Sequence, residues 1–268
     1  MMNLDQIING TRETINSGYY ERLAPARTER KSLCEYIEKA QEEGILPVVA
    51  GVATAMPDIG LLLANRKVAG RLIEKLCVEH DISAIDVWVE PRHHAGDLRW
   101  LAKELPIPII SRDWVIDSKQ IVGGDAILLN LELMNAAQSD PHELIEVAHD
   151  LDCEVVLEVR NEEEFCEAKR SEADVIMINN RTDTGADISI TIKALTRNKT
   201  GRPVISAHGI NNAQDVRSLI VAGVNAVEMS EVHVCNGHFE QRLGVLKNAI
   251  YGKDPKMKIE EENRFIVK

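Results

Sequence analysis

Short runs of consecutive apolar residues, rich in Val and Ile, recur along the chain: PVVAGV from 47, AIDVWV from 84, IPIIS from 107, AILLNL from 126, CEVVLEV from 153, DVIMIN from 174, PVISA from 203 and AVEMS from 226. Such runs suit strands buried on both faces of a parallel sheet. Their starts fall between 19 and 37 residues apart, and the gaps hold amphipathic segments such as GLLLANRKVAGRLIEKLC, PHELIEVAHDL, AQDVRSLIVAG and FEQRLGVLKNAI. Strand alternating with helix eight times predicts an α/β fold, a (β/α)8 TIM barrel. The expected layout is one domain over 1–268, with an N-terminal helical extension over 1–46, the barrel over 47–252 and a charged tail over 253–268. Gly44 is the stop signal of the extension's helix TERKSLCEYIEKAQEEG. In the third repeat only VGG separates SKQI from DAILL, so its helix must be a stub.

Composition narrows the function classes. Hydrophobic residues at 44% and charged ones at 28% are ordinary for a globular chain. The net charge of −12, from 31 basic and 43 acidic side chains, argues against a nucleic-acid partner, and no basic run offsets it. No stretch is long and apolar enough to span a membrane, and the polar N-terminus lacks a signal peptide's apolar core. The five cysteines are odd in number and form no CxxC pair, which fits reduced thiols and a cytoplasmic location.

Barrels of this type carry their sites at the C-terminal ends of the strands. That rim collects Glu90, Arg92, His93 and His94 after the second run, Arg112 and Asp113 after the third, and Glu158 after the fifth. Asn179, Asn180 and Arg181 follow the sixth, His208 the seventh, and Ser230, Glu231 and His233 the eighth. Two readings of the last group stay open. His208, Glu231 and His233, helped by Glu158 and by His93 or His94, offer the N and O donors of a divalent site such as zinc. Alternatively His208 and Glu231 join Arg181 or Arg112 in a hydrogen-bonded network. Cys235 and His238 read as loop and helix-start residues. Arg112 and Arg181 fit an anion clamp, which makes a small anionic ligand the expected partner.

Several segments, in order, resemble the indole-3-glycerol-phosphate synthase family: VEPRHHAGDLRWL, IISRDWVIDSKQI, CEVVLEVRNEEEF, VIMINNRTD and ISAHGINNAQDVRSLIVAGVNAVEM. The resemblance implies a carbon–carbon lyase of tryptophan biosynthesis, closing the indole ring of a phosphorylated anthranilate derivative. It also implies a site that this chain departs from. Gly51 and Ala53 stand at the positions of the family's strand 1 Glu and Lys, and Arg112 at that of its strand 3 Lys. Glu158 matches the strand 5 Glu, and Asn179 with Arg181 matches the strand 6 segment. Ala207 and His208 replace the strand 7 Glu-Ser pair, and Ser230 with Glu231 replaces the Gly-Ser that grips phosphate.

A guanidinium stays charged and is a poor proton donor, so Arg112 is no substitute for an acidic ammonium. A carboxylate about 4 Å from a phosphate charge costs about 4 kcal/mol at an effective dielectric of 20. The expectation is therefore a family paralogue with a rebuilt rim, using Glu158, Arg112, Asn179 and His208 on a different small anion. Arg181, Asn180, His93, His94, Ser230 and Glu231 are its candidate binding residues. Genuine synthase activity and a non-catalytic ligand- or protein-binding barrel are the alternatives.

Overall fold

A computed structural model describes residues 3–23, 29–56, 60–63, 66–79, 82–92, 105–235, 239–241, 243–244 and 246. The expected tail over 253–268 lies outside them. Eight parallel strands close a barrel: β1 (Val48–Val52), β2 (Ala84–Trp88), β3 (Ile109–Arg112), β4 (Ala126–Asn130), β5 (Glu154–Val159), β6 (Val175–Asn179), β7 (Val204–Ala207) and β8 (Ala226–Met229). Each pairs with its neighbours in chain order, and β1 pairs with both β2 and β8.

Helices fill the connections as the periodicity predicts, among them α3 (Arg66–Glu79), α5 (Pro141–Asp150), α7 (Ser189–Arg197) and α8 (Ala213–Ala222). The third connection holds only a 3-10 turn, Ser118–Gln120, in agreement with the stub expected there.

Alternation along the strands sends every second side chain inward. From the bottom, the even strands contribute Ala84, Ala126, Val175 and Ala226, and the odd strands then contribute Val49, Ile110, Val156 and Ile205. The next even layer reads Asp86, Leu128, Met177 and Glu228. Gly51, Arg112, Glu158 and Ala207 follow from the odd strands. Paired register places Glu228 beside Val49 on one side and Ala207 on the other. The core is thus apolar in its lower half and charged in its upper half.

Two N-terminal helices dress the ends. Leu33 and Ile37 of α2 (Leu33–Glu42) join the lower barrel core and plug it. The first residue of β5 holds that plug: Glu154 accepts from Ser32 Oγ at 2.5 Å, Leu33 N–H at 2.6 Å and Cys34 N–H at 3.3 Å. These are helix-start donors that lack partners within the helix. Beyond Glu42 the chain turns through Gly44 at φ +70°, a conformation that costs glycine little. The other helix, α1 (Leu4–Asn16), packs Ile7, Ile8 and Ile15 against Ile116, Leu133 and Ala137 beside the upper mouth. Arg92 ties it down, with Nη2 donating to Thr11 Oγ1 at 3.0 Å and Nε to Glu90 at 2.5 Å.

Candidate active site

The upper barrel is organised by Arg112, which ends β3 and turns its side chain inward. Its Nε donates to Asp86 at 2.9 Å and its Nη2 to Asp86 Oδ2 at 2.5 Å. Nη1 reaches Glu158 Oε2 at 2.9 Å, and Nη2 reaches Glu228 Oε1 at 3.2 Å. The guanidinium also lies 5.5 Å from the centroid of the Trp88 ring. One buried cation thus serves three buried carboxylates.

That imbalance moves protons. Burial pushes the Glu228 carboxyl well above the usual carboxylate range; Arg112 opposes this, while the charges of Asp86 and Glu231 add to it. Asp86 is raised as well, by burial against the pull of Arg112. Glu158 goes the other way. Burial raises it too, but Arg112 and the amides of Asn179 and Asn130 hold it below its ordinary value. Asn130 Nδ2 donates to Glu158 Oε1 at 2.7 Å.

Sequence reasoning missed Asp86 and Glu228. Each belongs to an inward row, with Ala84 and Trp88 for one and Ala226 for the other, but both strands are buried at every position and their sequences carry no signal of direction.

His208 sits on the turn after β7 at φ +65°, a left-handed conformation strained for a side-chain-bearing residue. Asn180 holds that turn. Its Nδ2 donates to Ser206 Oγ at 2.9 Å and to the carbonyls of Ala207 and His208 at 3.0 and 3.2 Å, and its Oδ1 accepts from Thr191 Oγ1 at 2.8 Å. Asn180, expected among the ligand-binding residues, is therefore fully buried behind the mouth with its amide committed. The physical reason is alternation, which turns it away from the side that Asn179 faces.

Burial, with Arg181 and Arg112 next in effect, pushes the His208 imidazole down to about 3 against the pull of Glu158. It is neutral at pH 7 and offers hydrogen bonds rather than charge. Asn179 Oδ1 accepts from Arg181 N–H at 3.0 Å, and Arg181 itself is exposed, with no carboxylate partner among the described residues.

The eighth strand leads directly into the short helix α9 (Glu231–Cys235). Glu231 Oε1 accepts from Trp88 Nε1 at 2.6 Å. Gly51 makes this approach possible: a Cβ there would stand 3.0 Å from Glu231 N and 3.2 Å from Glu231 Cγ. Ser230 Oγ lies 3.1 Å from His233 Nδ1. Glu231 and His233 are thus engaged with separate partners. Among the described residues no three His, Cys, Asp or Glu side chains gather as a metal-ligand set, so the expected His208, Glu231 and His233 set is not assembled there. His93, His94 and His238 lie outside the described residues. Cys235, read from the sequence as a loop or helix-start residue, instead ends α9, with its thiol 3.7 Å from the Ala53 carbonyl.

The mouth therefore has a polar arc of Asn130, Glu158, Asn179, His208 and Arg181, and a sector around Gly51, Trp88 and Glu231 that is acidic and aromatic. Residues 4–234 match the family model described as indole-3-glycerol phosphate synthase. A protein of that name from Acetivibrio thermocellus is 33% identical over 201 residues, covering 71% of this chain and 76% of the relative. Another from Dichelobacter nodosus is 28% identical over 228 residues, covering 81% and 83%. Among solved structures, an N-acetylmannosamine-6-phosphate 2-epimerase from Clostridium perfringens aligns with a TM-score of 0.58 at 12% identity, over 81% of this chain and 97% of its own. A thiamine phosphate pyrophosphorylase from Pyrococcus furiosus gives 0.53 at 15% identity, over 77% and 96%. At such identities the structural matches speak for the fold alone.

Proposed function

The chain belongs to the indole-3-glycerol phosphate synthase family, and from that premise we propose that its mouth has been rebuilt to act on a different small anionic metabolite. The observation that carries this reading is the commitment of Arg112. The residue at the family's strand 3 Lys position is buried and spends its donors on Asp86, Glu158 and Glu228. Ring closure needs a proton donor and acceptor poised near the working pH. Here the imidazole is pushed down to about 3, and Glu158 is held below its usual range. Strand 1 contributes Gly51 and Ala53, which bring no ionisable group at all.

The remaining chemistry suits binding and orientation of a small anion. Arg181 is the rim guanidinium without a carboxylate partner among the described residues, and a guanidinium pairs well with a carboxylate. Neutral His208 and the Asn179 amide stand beside it to donate or accept without adding charge. Glu158, kept ionised and steered by Asn130, is placed to accept a hydrogen bond from the bound molecule. A phosphate gripped at strand 8 fits poorly, because buried Glu231 stands there.

The test is direct. Incubated with the family's phosphorylated anthranilate substrate, the protein should give no rise in indole absorbance. Turnover that disappears in Glu158→Gln would restore genuine synthase activity. Small carboxylates should raise the melting temperature in a saturable way, and Arg181→Ala should weaken that effect tenfold or more. If neither a small ligand nor a metal binds, the reading of a non-catalytic ligand- or protein-binding barrel gains. Elemental analysis of the purified protein decides whether a metal joins the same rim: a stoichiometric divalent ion lost in His208→Ala would add it to the site.

A further inference from the structure

Asn180 touches both ends of the polar arc: it precedes Arg181 in the chain and bonds to His208, and every polar group it owns is engaged. Its backbone N–H donates to the Ala207 carbonyl at 3.0 Å, and its own carbonyl accepts from Asp187 N–H at 2.8 Å. Its Oδ1 accepts from the Thr191 amide at 3.3 Å as well as from the Thr191 hydroxyl. Its Nδ2 spans the turn after β7, from Ser206 Oγ to the carbonyls of Ala207 and His208.

The two ends also meet through their neighbours. Arg181–Thr182 pairs antiparallel with Gly185–Ala186, Arg181 opposite Ala186, and the bond from Asp187 to Asn180 closes the base of that hairpin. Ala186 lies against Gly209, the residue after His208: a Cβ on Gly209 would stand 3.1 Å from Ala186 Cβ. Hairpin and turn thus form one unit with Asn180 at the joint. The turn needs such a joint. His208 at φ +65° is followed by Gly209 at φ +75°, and a side-chain-bearing residue stays left-handed only where its surroundings fix it. The charge of Arg181 is the strongest of those acting on the His208 ring, ahead of Arg112, Glu158 and His233, so the two side chains are close.

We propose that Asn180 is a positioning residue: it holds the His208 turn and the Arg181 hairpin at one spacing and so sets the grip on a small carboxylate, a role that presupposes the anion proposed at Arg181. Buried as it is, Asn180 acts through the two groups it joins. Without its amide the strained turn relaxes, the imidazole gains water, and Arg181 is no longer held beside it.

The His208 ring reports on the joint without any ligand. Assigned by its loss in His208→Ala, its NMR signal should stay silent above about pH 5 in the wild-type protein, whose ring burial pushes down to about 3. In Asn180→Ala it should titrate between about pH 5 and 7, a gain of roughly a hundredfold in proton affinity. Sodium acetate, followed by thermal shift against sodium chloride at equal ionic strength, should bind the wild-type protein saturably and Asn180→Ala at least tenfold more weakly. If that variant does not fold by circular dichroism, Thr191→Val replaces it, keeping the shape while removing the hydroxyl that orients Asn180, and should move both readouts the same way by at least threefold. A folded variant whose ring stays silent refutes the joint, whatever its melting temperature. A ring that titrates while acetate affinity is unchanged refutes the role in binding. If the wild-type protein binds no acetate, the carboxylate at Arg181 falls, and the ring alone decides whether Asn180 holds His208.

Discussion

Glu154 and Glu158 open and nearly close the same strand, share its inward face and are both buried, yet they live in opposite circumstances. Glu154 has three donors to itself, a hydroxyl and two amides at the start of α2. Glu158 shares a single guanidinium with Asp86 and Glu228. The lower carboxylate is a fastening, matched one to one with groups that need an acceptor. The upper one belongs to a set in which demand for positive charge exceeds supply. Local conflict of that kind is tolerated where a molecule does its work, because a well-satisfied arrangement would favour another.

The comparison breaks most visibly at Arg112. Arg112→Met should cost about 3–5 kcal/mol in urea unfolding at pH 7, since it leaves several carboxylates buried without a cation. With the cation gone, the folded state favours their protonated forms, so the loss should shrink as pH falls into the carboxylate range. A loss under about 1 kcal/mol would mean that the cluster is not electrostatically strained.

The fastening should be worth less. Glu154→Ala should cost about 1–3 kcal/mol by orphaning the first donors of α2. Hydrogen exchange should show the loosening concentrated in residues 33–42; a uniform change would deny the one-to-one match.

Glu228 sharpens the contrast, because its effect has the opposite sign. Its carboxyl is raised in the folded state, so its contribution is most favourable at low pH and is lost as pH rises from the ordinary carboxylate range through the raised value. Glu228→Gln should therefore raise stability at neutral pH, by roughly 1 kcal/mol, and flatten that decline. Equal destabilisation at all pH values would show that Glu228 is a satisfied partner like Glu154.

The barrel was legible because its strands are apolar on both faces and its helices on one, so period and spacing alone separated them. The stub after β3 was legible from chain length. The same double-sided burial hid the charged core. In a run such as AIDVWV no alternation distinguishes inside from outside, and the sequence does not say which way Asp86 points. Asn180 was misplaced for a related reason, since one step past Asn179 reverses the facing direction. The partnership of Glu154 with α2 had no local signal, because its donors lie far away along the chain.

That distance has a consequence for how the molecule is made. Ser32 and Glu154 are 122 positions apart, and closing so long a loop is entropically unfavourable until intervening contacts exist. As the nascent chain leaves the ribosome, the plug emerges well ahead of the strand that secures it. Its first turn must wait until 122 further positions have been made, and the floor of the cylinder is sealed only after the fifth wall segment has been laid down.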